Sequence, residues 1–68
     1  MAEYTKFGVE VKTKLIMLPQ TQKWLCDEVS KDTGLSVDNP YMSRILTGQR
    51  TPAKVIDSIC KILDIQKP

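Results

Sequence analysis

Prolines at 19, 40 and 52 and glycines at 34 and 48 break this chain at short intervals. Each one removes options. The residue before a proline is pushed out of the α region, and glycine readily takes the left-handed conformation that ends a helix. No stretch between breaks approaches the roughly 20 apolar residues of a membrane span. Within the segments, apolar residues recur at three- and four-residue spacing, and nowhere is a four-residue alternation of apolar and polar residues sustained. The pattern predicts an all-α fold. Residues 1–68 make a single compact domain of four, or four to five, helices joined by short loops, without repeats or linkers.

The first helix is expected over about Lys6 to Met17, capped by Thr5 and stopped by Pro19. Its stripe runs through Phe7, Val11, Leu15 and Leu18. Thr21 caps the second helix, with Leu25, Cys26 and Val29 inward, and Gly34 ends it. Asn39 before Pro40 reads as the cap of a third, very short helix that Gly48 stops. Met42, Ile45 and Leu46 face inward there, while Tyr41 and Arg44 share another face. Thr51-Pro52 opens the fourth helix by the same logic. Val55, Ile56, Ile59, Ile62 and Leu63 form its wide apolar face, with Cys60 at the margin and Ile65 as a tail anchor. Asp57 and Lys61 are an i, i+4 pair in the favourable order.

At 41% apolar and 26% charged, the composition is that of a globular chain rather than a disordered one. Two cysteines set in apolar helical contexts, Cys26 and Cys60, read as reduced core residues and not as a disulfide framework. With no histidine, no metal site is expected. No cofactor is expected either, and catalysis is the weakest reading: there is no nucleophile and base pairing and no glycine-rich phosphate loop. An apolar leader is missing from the N-terminus, so a cytoplasmic location is expected.

Charge is distributed unevenly. From Asn39 to Ile56 there is no acid, against Arg44, Arg50 and Lys54. Acids gather instead at Asp27, Glu28, Asp32 and Asp38, and again at Asp57 and Asp64. The bland account is chance in a small chain.

Thr21-Gln22, Leu25-Cys26, Met42-Ser43-Arg44-Ile45, Gly48, Arg50, Pro52 and the tail Ile62-Leu63-Asp64-Ile65 follow one another in a telling order. In order and spacing they resemble the helix-turn-helix domains of the Cro and phage-repressor type, the Xre family, over roughly residues 21 to 65. The stretch "TGLSVDNPYMSRILTG" looks like small regulators of phages and mobile elements in Gram-positive bacteria. The segment from Val29 to Met42 is longer than in the family, so the second helix is longer, the turn wider, or both.

The resemblance implies a lambda-repressor-like fold in which the third helix enters the major groove of double-stranded DNA and the second crosses the backbone. Arg44, Tyr41 and Asn39 are then the base-reading candidates, although Asn39 also reads as a cap and Tyr41 as a ring closing the core. Gln22, Ser43, Thr47, Gln49, Arg50 and Lys54 are the phosphate-contacting candidates. Lys54 opposes the dipole of the fourth helix, which suggests an anionic partner. Trp24 reads as cover for the core, or more sharply as a partner contact. The implied function is a sequence-specific transcriptional regulator, a repressor or Cro-like switch. An excisionase-like architectural factor and a protein-binding module on the same scaffold are the alternatives. The two apolar stripes of the fourth helix suggest a weak homodimer built on Ile59, Ile62, Leu63 and Ile65.

Overall fold

The computed structural model describes residues 3–66. They form α1 (Lys6–Met17), α2 (Gln22–Thr33), α3 (Asn39–Leu46) and α4 (Ala53–Leu63), with no strand among the described residues. None of these helices is long and apolar enough to cross a membrane. α2 packs chiefly on α4, while α1 spans α3 and α4. One core runs through all four, and Val11, Leu25, Val29, Met42, Leu46 and Ile59 have essentially no exposed surface.

Local chemistry explains most boundaries. Thr5 Oγ accepts from Gly8 N–H at 3.1 Å, and Thr21 Oγ accepts from Trp24 N–H at 3.0 Å, so both predicted threonine caps form. Gly34, at φ +73°, closes α2 in the left-handed conformation and donates its N–H to Ser30 C=O at 2.9 Å. Gly48, at φ +83°, turns the chain away after α3.

Two caps differ from the sequence reading. Asp38 caps α3, its carboxylate accepting from Tyr41 N–H at 2.9 Å, and Asn39 is already the first helical residue. Asp and Asn cap almost equally well, and a start at Asp38 also leaves Pro40 in the first turn. Thr51 caps nothing: α4 begins after Pro52, which has no hydroxyl and makes no side-chain cap bond.

The long α2–α3 connection is anchored from within. Val37 is buried and its N–H donates to Ser30 Oγ at 3.1 Å, while Ser30 Oγ–H donates to Cys26 C=O at 2.8 Å. Leu35 N–H bonds Thr33 Oγ at 3.1 Å. The connection spans residues 34–38 between α2 and α3, and the buried Val37 plugs it against the core.

α1 meets α3 backbone to backbone. Leu46 C=O accepts from Thr5 N–H at 3.0 Å and from Thr5 Oγ–H at 3.1 Å. Gly8 lies directly over the same carbonyl, and a Cβ there would overlap its oxygen. Farther along α1 the expected stripe ends early: Leu18 is 48% exposed, because the helix has run past the core before Pro19 stops it.

α4 contradicts part of the expected dimer surface. Ile59 and Leu63 are 0% and 3% exposed, filling the core of one copy, so neither is free to meet another. Cys60 is likewise in the core and not at its margin. Of the four expected dimer residues Ile62 and Ile65 keep partial exposure, as does Ile56 beside them. Much of the apparent second stripe is used internally because α1 and α2 both pack against α4. Ser58 is also buried there, and its hydroxyl donates to Asp32 Oδ2 at 2.7 Å while Lys61 Nζ donates to Asp32 Oδ1 at 2.7 Å, tying the end of α2 to α4.

Gly8→Ala should destabilise the domain by about 2 kcal/mol, since overpacking against backbone outweighs the roughly 1 kcal/mol of helix propensity gained. Urea unfolding measures this, and an unchanged midpoint would mean that α1 and α3 are not in such close contact.

The bonds from Lys61 and Ser58 hold the Asp32 carboxyl below its ordinary range. Its stabilising effect is present above the unfolded carboxylate value, roughly pH 4, and is lost as pH falls through the lower folded one. Asp32→Asn should lower the melting temperature at pH 6 and shrink the loss seen on acidification toward pH 3. Melts at stepped pH test both effects, and identical pH profiles would remove Asp32 from the account.

Candidate nucleic-acid interface

Gln22 is the first helical residue of α2 and lies beside the start of α3. Its side-chain oxygen accepts from Lys12 Nζ on α1. Its amide nitrogen faces three oxygens of α3: Ser43 Oγ at 3.3 Å, Asn39 C=O at 3.4 Å and Asn39 Oδ1 at 3.5 Å. These distances are long for N–H···O bonds, and two amide protons cannot satisfy three acceptors at once. The contacts are exchangeable surface bonds that orient Gln22 without locking it.

Nothing in the sequence spacing ties Lys12 to Gln22. The fold does so, and it also sets the Lys12 ammonium 5.6 Å from the centre of the Tyr4 ring. One edge of the molecule thus brings together Lys12, Gln22, Asn39 and Ser43 from three helices. Gln22 also sits where the N-terminus of α2 presents unpaired backbone N–H groups, a setting favourable to anions.

The matching end of α3 is different. Asp38 puts a carboxylate on its first N–H groups, so that terminus is occupied and negative. Asn39 is exposed and engages α2 from the surface: its Oδ1 accepts from Gln22 and stands 3.6 Å from Cys26 Sγ. These are the positioning contacts of a residue that links α2 and α3.

Tyr41 and Arg44 lie on the outer side of α3, where with Leu35, Ser36, Asp38 and Pro40 they line a broad, shallow groove of about 470 Å3. Arg44 is exposed, and Tyr41 is half-buried against the core. Neither Arg44 nor Arg50 has an ion-pair partner among the described residues. The following loop is braced on the Arg44 carbonyl, which accepts from Gln49 N–H at 2.8 Å and Arg50 N–H at 3.2 Å. Thr47 Oγ–H donates to Ser43 C=O at 3.0 Å, and Gln49 Nε2 donates to Thr47 Oγ at 3.4 Å. Thr47, Gln49 and Arg50 therefore stand as one ordered turn at the end of α3.

Lys54 departs from the expected set. It lines a groove with Asp32, Thr33, Asp57, Ser58 and Lys61 on the α2–α4 side, where carboxylates are its neighbours. A phosphate there would meet two acids, so the arrangement does not join Lys54 to the Gln22 edge. Trp24 is half-buried and packs against the core, in keeping with its reading as cover.

No group of histidine, cysteine or acidic side chains able to hold a metal ion occurs among the described residues. Comparison of the chain with protein-family profiles, with curated proteins and with solved structures returned no match.

Cys26 underlies this edge. Both cysteines are buried, and neither is in a disulfide among the described residues. Burial first, and the nearby Asp27 and Asp38 charges second, push the Cys26 thiol above its ordinary value. The folded state thus favours the neutral thiol, and this contribution to stability is full below the unfolded thiol value and lost as pH rises through the folded one. At pH 8, a disulfide reagent should modify native Cys26 roughly a hundredfold or more slowly than it does the urea-unfolded chain. Rapid modification without unfolding would make this a solvent-reactive thiol.

Proposed function

We propose that this chain is a sequence-specific double-stranded DNA-binding regulator, acting as a repressor or Cro-like switch. The observation that carries the reading is the bonding of Gln22, at the start of α2, to Asn39 and Ser43 on α3, beside a helix free of acids from Asn39 onward. A helix held this way can lie along a groove while its neighbour's N-terminus meets the backbone. Arg44 is the base reader, with Tyr41 beside it, because its guanidinium is exposed and unpaired and can bond both O6 and N7 of a guanine. Asp38, next to that groove, disfavours phosphate and suits an amino donor such as that of cytosine.

Gln22, Ser43 and the Thr47–Arg50 turn take phosphates. Lys12 joins them, since its ammonium can exchange the bond to Gln22 for one to a phosphate oxygen. The mechanism is occupancy: a protein on an operator that overlaps a promoter excludes the polymerase.

A protein-binding role is the second reading, and the exposed apolar side of α1 favours it. Salt separates the two. DNA binding that releases counterions weakens steeply with salt, and absence of binding to mixed duplexes even at low salt would leave only the protein-binding role.

The test uses a duplex selected from a random pool and an unrelated duplex. Arg44→Ala should cost about 1–3 kcal/mol on the selected site and much less on the unrelated one. Arg50→Ala should weaken both alike and flatten the salt slope by about one unit. Equal losses on both duplexes for Arg44→Ala would reduce Arg44 to a phosphate contact.

A further inference from the structure

α1 is apolar on two sides, and the fold uses one of them. Phe7, Val11 and Leu15 face the core, whereas Val9 (53% exposed), Ile16 (77%) and Met17 (71%) lie on the other side. At about 100° per residue the two sets are roughly half a turn apart. Exposed apolar surface gathered on one side of a helix commonly marks an interaction site.

Thr13 sits between Val9 and Met17 at i+4 spacing. Its hydroxyl is turned back onto Val9 C=O at 2.8 Å, so it adds a methyl to this face and no unmet donor. With Ile65 from the C-terminal segment, Val9, Thr13 and Met17 line a groove of about 230 Å3 whose edge carries Glu10 and Lys14. Neither of these two charges forms an ion pair among the described residues.

We propose that this face is covered by a second copy of the chain, with α1 packed antiparallel on its equivalent about a two-fold axis near Thr13. Charge complementarity selects that occupant. In an antiparallel pair the same edge of each helix meets itself, and this edge reads Lys6, Glu10, Lys14 at successive turns. Reversal brings Glu10 of each copy toward Lys14 of the other, which gives two opposed pairs. A uniformly acidic or basic partner would be repelled by part of the same row. The apolar layer is also self-matching, because Val9 meets Met17 of the second copy and the small Thr13 lies at the axis and permits close approach.

One three-turn helix per copy covers less than the standard interface of about 1,600 Å2, so the association is weak, with a dissociation constant on the order of 100 µM. This inference rests on the packing of α1 alone and stands or falls apart from the DNA-binding reading.

Sedimentation equilibrium of the full chain from about 20 µM to about 1 mM tests it, with circular dichroism confirming that each variant is folded. Glu10 and Met17 are exposed and Lys14 is partly so, so the fold should persist. The unaltered chain should show a monomer–dimer equilibrium. Met17→Lys should raise the dimer dissociation constant about tenfold or more, and Glu10→Lys severalfold; combining Glu10→Lys with Lys14→Glu should return it to within about twofold of the original. A strict monomer over the whole range, a dimer indifferent to Met17→Lys, or failure of the double exchange to restore association would each overturn the proposal.

Discussion

The Leu46 carbonyl is the point on which the arrangement of helices depends. It ends α3, where a helix leaves carbonyls without partners, and Thr5 meets it with both its backbone and its side-chain donor. Gly8 makes this possible because only a residue without Cβ fits against that oxygen. Thr5 simultaneously caps its own helix through Gly8 N–H. One residue therefore starts α1, ends α3 and sets the distance between them. Since α3 has only eight residues, fixing one end of it largely fixes its direction.

The other end of α3 is held by different means. Asp38 caps it, Val37 plugs the core before it, and Gln22 and Cys26 approach Asn39 from α2. A short helix cannot supply much stability from its own hydrogen bonds, so it is formed by what surrounds it. The inward residues Met42, Ile45 and Leu46 are all buried, which leaves the outer side to Tyr41, Ser43 and Arg44. Charges follow the same division of labour. Asp32 serves the joint between α2 and α4 through Ser58 and Lys61, and Lys54 lies close by. The side of α3 bearing Arg44 has Asp38 as the one carboxylate lining its groove.

α1 is where the core-forming logic and the surface diverge. Its inward stripe stops at Leu15, yet the chain continues apolar through Ile16, Met17 and Leu18, all exposed. The domain closes without them because α4 supplies two rows of apolar side chains to the interior. A compact fold needs no further cover on that side, so the surplus is available for contact between molecules.

Local signals were legible in the sequence wherever the cause was local. The four helices, the Thr5 and Thr21 caps, the stops at Gly34 and Gly48, and the inward faces of α2 and α3 all follow from spacing and backbone preference within a few residues. So did the burial of Cys26 and Cys60. Where two neighbours could do the same job, the sequence reading placed the α3 cap on Asn39, and the fold places it on Asp38. Everything joined across long sequence separation was decided by tertiary structure alone: Gly8 under Leu46, Lys12 on Gln22, Ser58 and Lys61 on Asp32, and the absorption of Ile59 and Leu63 into the core rather than a surface. The reason is that periodicity assigns a residue to a face of its own helix, whereas which neighbour that face meets, and how closely, depends on how the helices pack around their shared core.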